Sequence, residues 1–492
     1  MSAYAELETR FKRLSHLGGA SAVLGWDSSV MMPPGGSDVR GEQLAALSVV
    51  CHQMMTDPTI GDLLAAAEAE KLDDWQRANL KLMARDYRHA TAVPEKLVEA
   101  MSLAGSNCEH VWRTARKEND FKTYAPLQQQ VLELTREIAD AKAEAFGCSR
   151  YDALLDQYDA GRTVAEIDLL FAPLREFLPG FLPQALAAQE KLGPVLPLTG
   201  KFPAAAQKAL GLKLMGIVGF DFAHGRLDES AHPFCGGVPG DIRITTRYDE
   251  SDFTKALMGV LHETGHALYE NGLPTVWRGQ PVGSALGMSL HESQSLLMEM
   301  QVCRSREFLD FAAPLLREAF GGSGKAWAAE NLYRLYTRVE PGLIRVDADE
   351  VTYPCHVILR YDIEKDLIAG KLQIKDLPER WRADMQALLG LTPDSDANGC
   401  MQDIHWTDGA FGYFPTYSLG AMTAAQFFAT AKKDPAIQAG ISKGNFAPLV
   451  AWLRENIHAQ ASRYTAQELV TRVTGEKLNP QIYLQHLKKR YL

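Results

Sequence analysis

Residues 251–272 read SDFTKALMGVLHETGHALYENG. Phe253, Leu257, Val260 and Leu261 recur at the three- and four-residue spacing of one helix face. Ser251 or Asp252 can cap the free N–H groups of the first turn, and Asn271-Gly272 ahead of Pro274 supplies a stop. Within this predicted helix lies His262-Glu263-Thr264-Gly265-His266. Side chains four apart share a face, so the two imidazoles can meet on one zinc ion at about 2.0–2.1 Å. Glu263 sits beside the first ligand, where it can reach a water on the metal without ligating it. Gly265 costs about 1 kcal/mol relative to Ala inside a helix, and its use predicts that another backbone comes close. A chance HExxH arises in roughly 2 of 100 chains of this length and histidine content, so the neighbourhood must carry the reading.

A catalytic site needs a third ligand and an open position. Ser289-Leu290-His291-Glu292-Ser293 opens the next helical run, and Glu292 is the chosen ligand, with His291 as the alternative. Ser289-x-x-Glu292 is also a capping box, which would hold the carboxylate at a helix start. On the other side of the motif helix, Asp241–Tyr248 reads DIRITTRY. Its alternation of Ile242, Ile244, Thr246 and Tyr248 with Arg243, Thr245 and Arg247 predicts a strand. Gly236, Gly237, Pro239 and Gly240 before it read as a turn cluster.

Further out, helical periodicity dominates. Residues 3–25, 40–55, 59–71, 73–90, 94–118 and 124–146 read as amphipathic helices. Residues 164–190 are helical with interruptions at Pro179-Gly180 and Pro183; 193–203 is a connector; helix returns at 204–219 and from about 416 to 492. The expected fold class is mainly α, with a small β-sheet just before the metal motif. A single domain is expected over 1–492, with an N-terminal helical part to about 190, a catalytic core at about 204–430 and C-terminal helices at about 431–492.

The composition fits this picture. Hydrophobic residues make up 46% of the 492 and charged residues 23%. A formal charge of −10 argues against a nucleic-acid partner. No apolar stretch reaches the roughly 18 residues that span a bilayer, so no membrane association is expected. The N-terminal MSAYAELETRFKRL carries acidic residues and no apolar block of a secretory signal. Seven dispersed cysteines without a CxxC pair suit reduced thiols, and a cytoplasmic location is expected.

HETGH followed by HESQS resembles the carboxypeptidase Taq family of metallocarboxypeptidases. Further segments match that family's pattern in order: His232-Pro233-Phe234, Asp241-Ile242-Arg243-Ile244-Thr245, Ile344-Arg345-Val346-Asp347-Ala348-Asp349 and Gly399-Cys400-Met401-Gln402-Asp403-Ile404-His405-Trp406. Leu24-Gly25-Trp26-Asp27 and Met32-Pro33 are similar too, so the likeness spans nearly the whole chain. It implies a helical homodimer with a long groove, related to the neurolysin and angiotensin-converting-enzyme fold. It implies removal of single residues from peptide C-termini with broad specificity, poor cleavage before a terminal proline, and Zn²⁺ or Co²⁺ as cofactor.

That activity assigns tasks to residues. Zinc acidifies its water and polarises the scissile carbonyl, while Glu263 moves the proton to the leaving amine. The oxyanion needs a second donor, for which related helical zinc peptidases use a His and a Tyr. His405 with Tyr413 or Tyr417 are the candidates, and Asp403 is a candidate to orient His405. A free C-terminus calls for an arginine fork. Arg243, oriented by Asp241, and Arg345 are the candidates, with Arg345 favoured because its motif adjoins a predicted helix start at Asp347–Glu350. The Arg243 strand is also expected to pair with the peptide backbone, and Trp26-Asp27 to pack the turn of an N-terminal hairpin. The nearest alternative function is a helical zinc oligoendopeptidase or dipeptidyl carboxypeptidase. A more distant one is a metal-free helical binding protein.

Overall fold

The computed structural model describes residues 2–492. Six helices open the chain where the periodicity places them: α1 (Ala3–Val30), α2 (Ser37–Met55), α3 (Pro58–Ala67), α4 (Asp74–Ala92), α5 (Glu95–Glu118) and α6 (Phe121–Phe146). After α7 (Arg150–Leu155) comes α8 (Val164–Lys191). The expected interruptions in α8 are absent, and the helix is continuous through Pro173, Pro179 and Pro183. Each proline deletes one backbone hydrogen bond. The buried stripe of Phe171, Leu174, Leu178, Phe181 and Leu182 holds the helix together regardless.

Helix α9 (Ala204–Val218) leads into β1 (Gly225–Glu229), β2 (Phe234–Val238) and β3 (Asp241–Thr246), in sheet order β1-β3-β2. Only β3 is legible as a strand from its alternation. Gly236 and Gly237, read as part of a turn, lie within β2, and the turn is confined to Pro239-Gly240. Strand β3 pairs parallel with β1 and antiparallel with β2. Both of its edges are therefore occupied, and it cannot take a peptide strand as expected.

The remaining elements are α10 (Phe253–Gly272), α11 (Met288–Leu296), α12 (Arg306–Phe320), α13 (Ala329–Tyr336), α14 (Tyr353–Ile368) and α15 (Leu377–Leu389), then α16 (Pro415–Ala431), α17 (Pro435–Ile441), α18 (Ala447–Asn456), α19 (Ala466–Thr474) and α20 (Pro480–Tyr491). Among the described residues no helix is long and apolar enough to cross a membrane.

The chain forms two compact units, each of three segments. The first comprises residues up to 90, 195–336 and 423–477. In it, Leu227, Ile242 and Ile244 of the sheet pack with Met215, Phe220, and Val260 and Ala267 of α10. This buries one sheet face against the motif helix. A second cluster joins Tyr4, Leu7 and Phe11 of α1 to Ile60, Leu64, Leu80 and Met83. The second unit comprises 91–194, 337–422 and 478–492. Its α14 is buried along most of its length, including His356, Arg360 and Glu364. The junction at 194–195 falls in the connector read from the sequence.

Candidate active site

Helix α10 is capped by Asp252, whose carboxylate accepts from Thr254 N at 2.9 Å, and it ends at Gly272. Its apolar face, Phe253, Leu257, Val260 and Leu261, is buried as the spacing predicts. This leaves His262 and His266 one turn apart on a half-buried face. Gly265 between them is needed: a Cβ there would lie 2.5 Å from Gln294 O and 2.7 Å from Ser295 Cα of α11. The absent side chain is what lets α11 bring Glu292 up to the histidines.

The capping-box reading of Ser289 and Glu292 is not what the structure shows. Helix α11 starts earlier, with Gly287 at its N-cap and no side-chain cap. Glu292 instead faces α10. Its Oε2 lies 3.7 Å from His262 Nε2 and 3.4 Å from His266 Nε2, and it also accepts from Ser295 Oγ. One donor atom from each of His262, His266 and Glu292 lies within 4.8 Å of the other two. Ligands on one tetrahedral Zn²⁺ at about 2.0–2.1 Å stand roughly 3.3 Å apart, so this donor set fits a metal of that kind.

The outward nitrogens strengthen the fit. His262 Nδ1 lies 2.9 Å from Glu299 Oε2, and Arg304 donates to the other Glu299 oxygen at 2.5 Å. His266 Nδ1 lies 2.6 Å from His291 Nδ1, whose Nε2 lies 2.8 Å from Glu270 Oε1. The assignment that satisfies both chains puts protons on His262 Nδ1, His266 Nδ1 and His291 Nε2. It leaves both Nε2 lone pairs pointing at the metal position. His291 lies outside the three converging donors and stands behind His266 as the acceptor for its Nδ1–H. Arg304 and His262 outweigh burial and hold the Glu299 carboxyl down to about 2, so it stays charged.

Glu263 is 8% exposed, and burial, the largest influence, pushes its carboxyl up to about 7. No protein hydrogen bond claims it among the described residues. Glu299, Glu270 and Arg304 were not found by sequence reasoning. A partial signal exists, since His262, His266 and Glu270 form one i, i+4 row. Glu299 lies in a π-helical turn, Leu297–Cys303, which periodicity does not announce.

The first unit also holds Arg243. It projects opposite the buried Ile242 and Ile244, as expected, and Asp241 grips its Nε at 2.9 Å and Nη2 at 2.7 Å. Trp26 is not confined to the hairpin turn. Asp27 ties α1 to α2 through Arg40 at 2.8 Å, while the Trp26 ring lies against Arg243.

The second unit holds the other candidates. Arg345 does not adjoin a helix start. It opens a 3-10 turn, Arg345–Asp347, and α14 begins only at Tyr353, because the Asp349 carboxylate caps the N–H groups of Val351 and Thr352. Arg345 gives Nε and Nη2 to Asp403 at 3.0 and 2.9 Å and Nη1 to Tyr353 at 2.8 Å. Asp403 also binds Arg360, so it orients two arginines and not His405. His405 Nε2 lies 3.3 Å from the Tyr417 hydroxyl, and its Nδ1 is buried without a partner. Burial, then Arg345, pulls its imidazolium down to about 4, so the ring is neutral at pH 7. Tyr413 packs its ring at right angles on Tyr158 and stands 5.5 Å from the His405 ring centroid, against 6.3 Å for Tyr417, whose hydroxyl reaches Nε2.

Glu364 was also missed by sequence reasoning. It accepts from Trp406 Nε1 at 2.7 Å and Gly412 N at 2.9 Å, and so braces both ends of the turn carrying His405 and Tyr413.

Comparison with known proteins shows the family. The family model "Carboxypeptidase Taq (M32) metallopeptidase" matches residues 6–491. Thermostable carboxypeptidase 1 of Thermus thermophilus is 39% identical, covering 100% of this chain and 98% of its own. Carboxypeptidase 1 of Bacillus subtilis is 35% identical over 98% of this chain and 96% of its own. The structure of metallocarboxypeptidase 1 from Trypanosoma cruzi superposes with a TM-score of 0.97 at 42% identity, covering 99% of each chain. With a convergent metal donor set and a full-length family match, the chain belongs to the carboxypeptidase Taq (M32) family and is a metallocarboxypeptidase.

Proposed function

We propose that this metallocarboxypeptidase removes single residues from the free C-termini of peptides, with broad specificity, using one Zn²⁺ held by His262, His266 and Glu292. The observation that carries the reading is the convergence of three donor atoms whose imidazoles are pinned from behind by Glu299 and by His291–Glu270. Co²⁺ suits the same donors. A divalent metal there supplies Lewis-acid polarisation of the peptide carbonyl and acidification of water. Glu263 accepts the proton of the attacking water and delivers it to the leaving amine. Its unclaimed carboxylate supports this role. His405, paired with Tyr417, serves the oxyanion as a neutral donor, with Tyr413 as the second candidate.

The terminal carboxylate goes to Arg243, oriented by Asp241. Nη1 of Arg243 carries no protein hydrogen bond among the described residues, whereas every nitrogen of Arg345 is engaged. Arg345 spends three of its five N–H donors, two on Asp403 and one on Tyr353, keeps one on each Nη, and is the alternative. The reading also takes the enzyme to be a cytoplasmic homodimer. Seven unpaired cysteines support the location, and the family resemblance supports the dimer, which light scattering tests.

The experiment is mass spectrometry of a mixed peptide pool, with and without chelator. Ladders that shorten by one C-terminal residue, abolished by chelator and by C-terminal amidation, are expected. Internal cuts, or equal cleavage of acid and amide, would replace the reading with an oligoendopeptidase.

A further inference from the structure

Arg226 of β1 and Arg243 of β3 are register partners in the parallel pair. Two guanidiniums therefore stand side by side on one sheet face. The two-residue period places Asp228 and Asp241 on that same face, and each closes on its own arginine. Both guanidiniums also lie over the indole of Trp26, with Arg243 Cζ 4.4 Å and Arg226 Cζ 5.3 Å from the ring centroid. On the other side, the register partner of Arg243 in β2 is Gly236, which contributes no side chain.

Nε and Nη2 of Arg243 go to Asp241, and Nη1 is left over. Asp241 alone is a poor anchor for that free edge. Its side chain is 44% exposed and comes from the same strand, so the pair can swing together. Trp26 is 4% exposed and comes from α1, a separate element, so it forms a fixed wall. A cation over an indole face is attracted by the ring quadrupole. The Trp26 Nε1–H is buried with no partner among the described residues. Hydrogen bonding is therefore not what this residue contributes, and its face is.

We propose that Trp26 is a positioning residue for recognition of the peptide's terminal carboxylate: its ring face holds the Arg243 guanidinium so that the Nη1 edge stays available to substrate. The inference rests on Arg243 as the carboxylate-binding arginine.

The test compares kcat/KM for one short peptide as free acid and as C-terminal amide, in wild type, Arg243→Ala, Trp26→Leu, Trp26→Met and Trp26→Phe. Metal content and melting temperature serve as controls. Trp26→Met keeps much of the buried volume and serves if the Leu variant fails to fold. The acid-over-amide preference should fall by about 10-fold or more in Arg243→Ala and about 5- to 10-fold in the ring-less Trp26 variants, mainly through KM for the acid. Trp26→Phe, which restores a ring face, should recover most of the preference. If Arg243→Ala loses the preference while folded Leu and Met variants keep it, the role of Trp26 is wrong and that of Arg243 stands. If Arg243→Ala keeps the preference, both fall together.

Discussion

An imidazole offers one nitrogen to a metal only when its other nitrogen has a settled proton. At the residue scale, that is what Glu299 does for His262 and the His291–Glu270 pair does for His266. Losing such a partner typically costs 10–100-fold in metal affinity, so Glu299→Gln and His291→Ala should each weaken metal binding by about that much in a chelator competition. His262→Ala or His266→Ala should abolish it, and Glu292→Ala should weaken it severely. Retention of full metal by Glu292→Ala would remove that residue from the donor set. Glu263→Gln is the converse case. It should keep the metal, because the carboxylate is not one of the converging donors, and lose turnover by orders of magnitude, because an amide cannot take the water's proton. Near-normal turnover in that variant would end the general-base assignment. The histidine pair was legible, because i, i+4 spacing is a local rule. Their outer partners were not, because Glu299 reaches His262 across 37 residues of chain.

At the scale of elements, the close contact of α10 with α11 decides where Glu292 stands. Gly265→Ala would drive a methyl into the backbone of Gln294 and Ser295. Backbone cannot swing aside as a side chain can, so the helices must part. Overpacking of this kind costs about 1–3 kcal/mol, read as a lower melting temperature, and metal affinity should fall with it. A variant with unchanged melting temperature and metal affinity would show that the helix spacing does not depend on Gly265. The sheet teaches the complementary lesson. Strand β3 announces itself through Ile242 and Ile244, whereas β2 carries Cys235, Gly236 and Gly237, which have no alternation to read. Its pairing with β3 makes it a strand.

At the scale of the second unit, buried charge links distant segments. Glu350 is 5% exposed and takes His486 at 2.8 Å, Arg490 at 2.8 Å and the Tyr491 hydroxyl at 2.9 Å, all from α20. Asp403 joins Arg345 to Arg360. Burial opposes ionisation of both acids, but their cationic partners outweigh it and hold both below the usual carboxylate range. A depressed folded-state value means stability that is present above the unfolded values of about 3.9–4.3 and is lost as pH falls through and below them. These two acids should give a steep drop in melting temperature below about pH 4, added to a shallower decline that begins below about pH 6.5 because His405 stays neutral in the fold down to about 4. Glu350→Gln should cost about 3–5 kcal/mol at pH 7, because it removes the carboxylate that pairs with Arg490 in a buried site, and should make the acid limb shallower. An unchanged acid limb in that variant would show that Glu350 does not drive the acid transition.

Local pattern determined the helices α1–α6, the motif helix, the strand bearing Arg243, and the i, i+4 pair His262 and His266. Each follows from spacing or from side chains within a few residues, which a linear reading can count. Only the tertiary structure decided that α8 runs through three prolines, because burial of its apolar stripe outweighs the missing backbone bonds. It alone decided that Glu292 serves the histidines and not a helix cap, that Asp403 serves arginines and not His405, and that Trp26 meets Arg243. Those outcomes depend on which distant carboxylate, ring or guanidinium packing brings within hydrogen-bond or contact distance. Their energies arise from burial and charge pairing between segments far apart in the chain, where local periodicity has nothing to say.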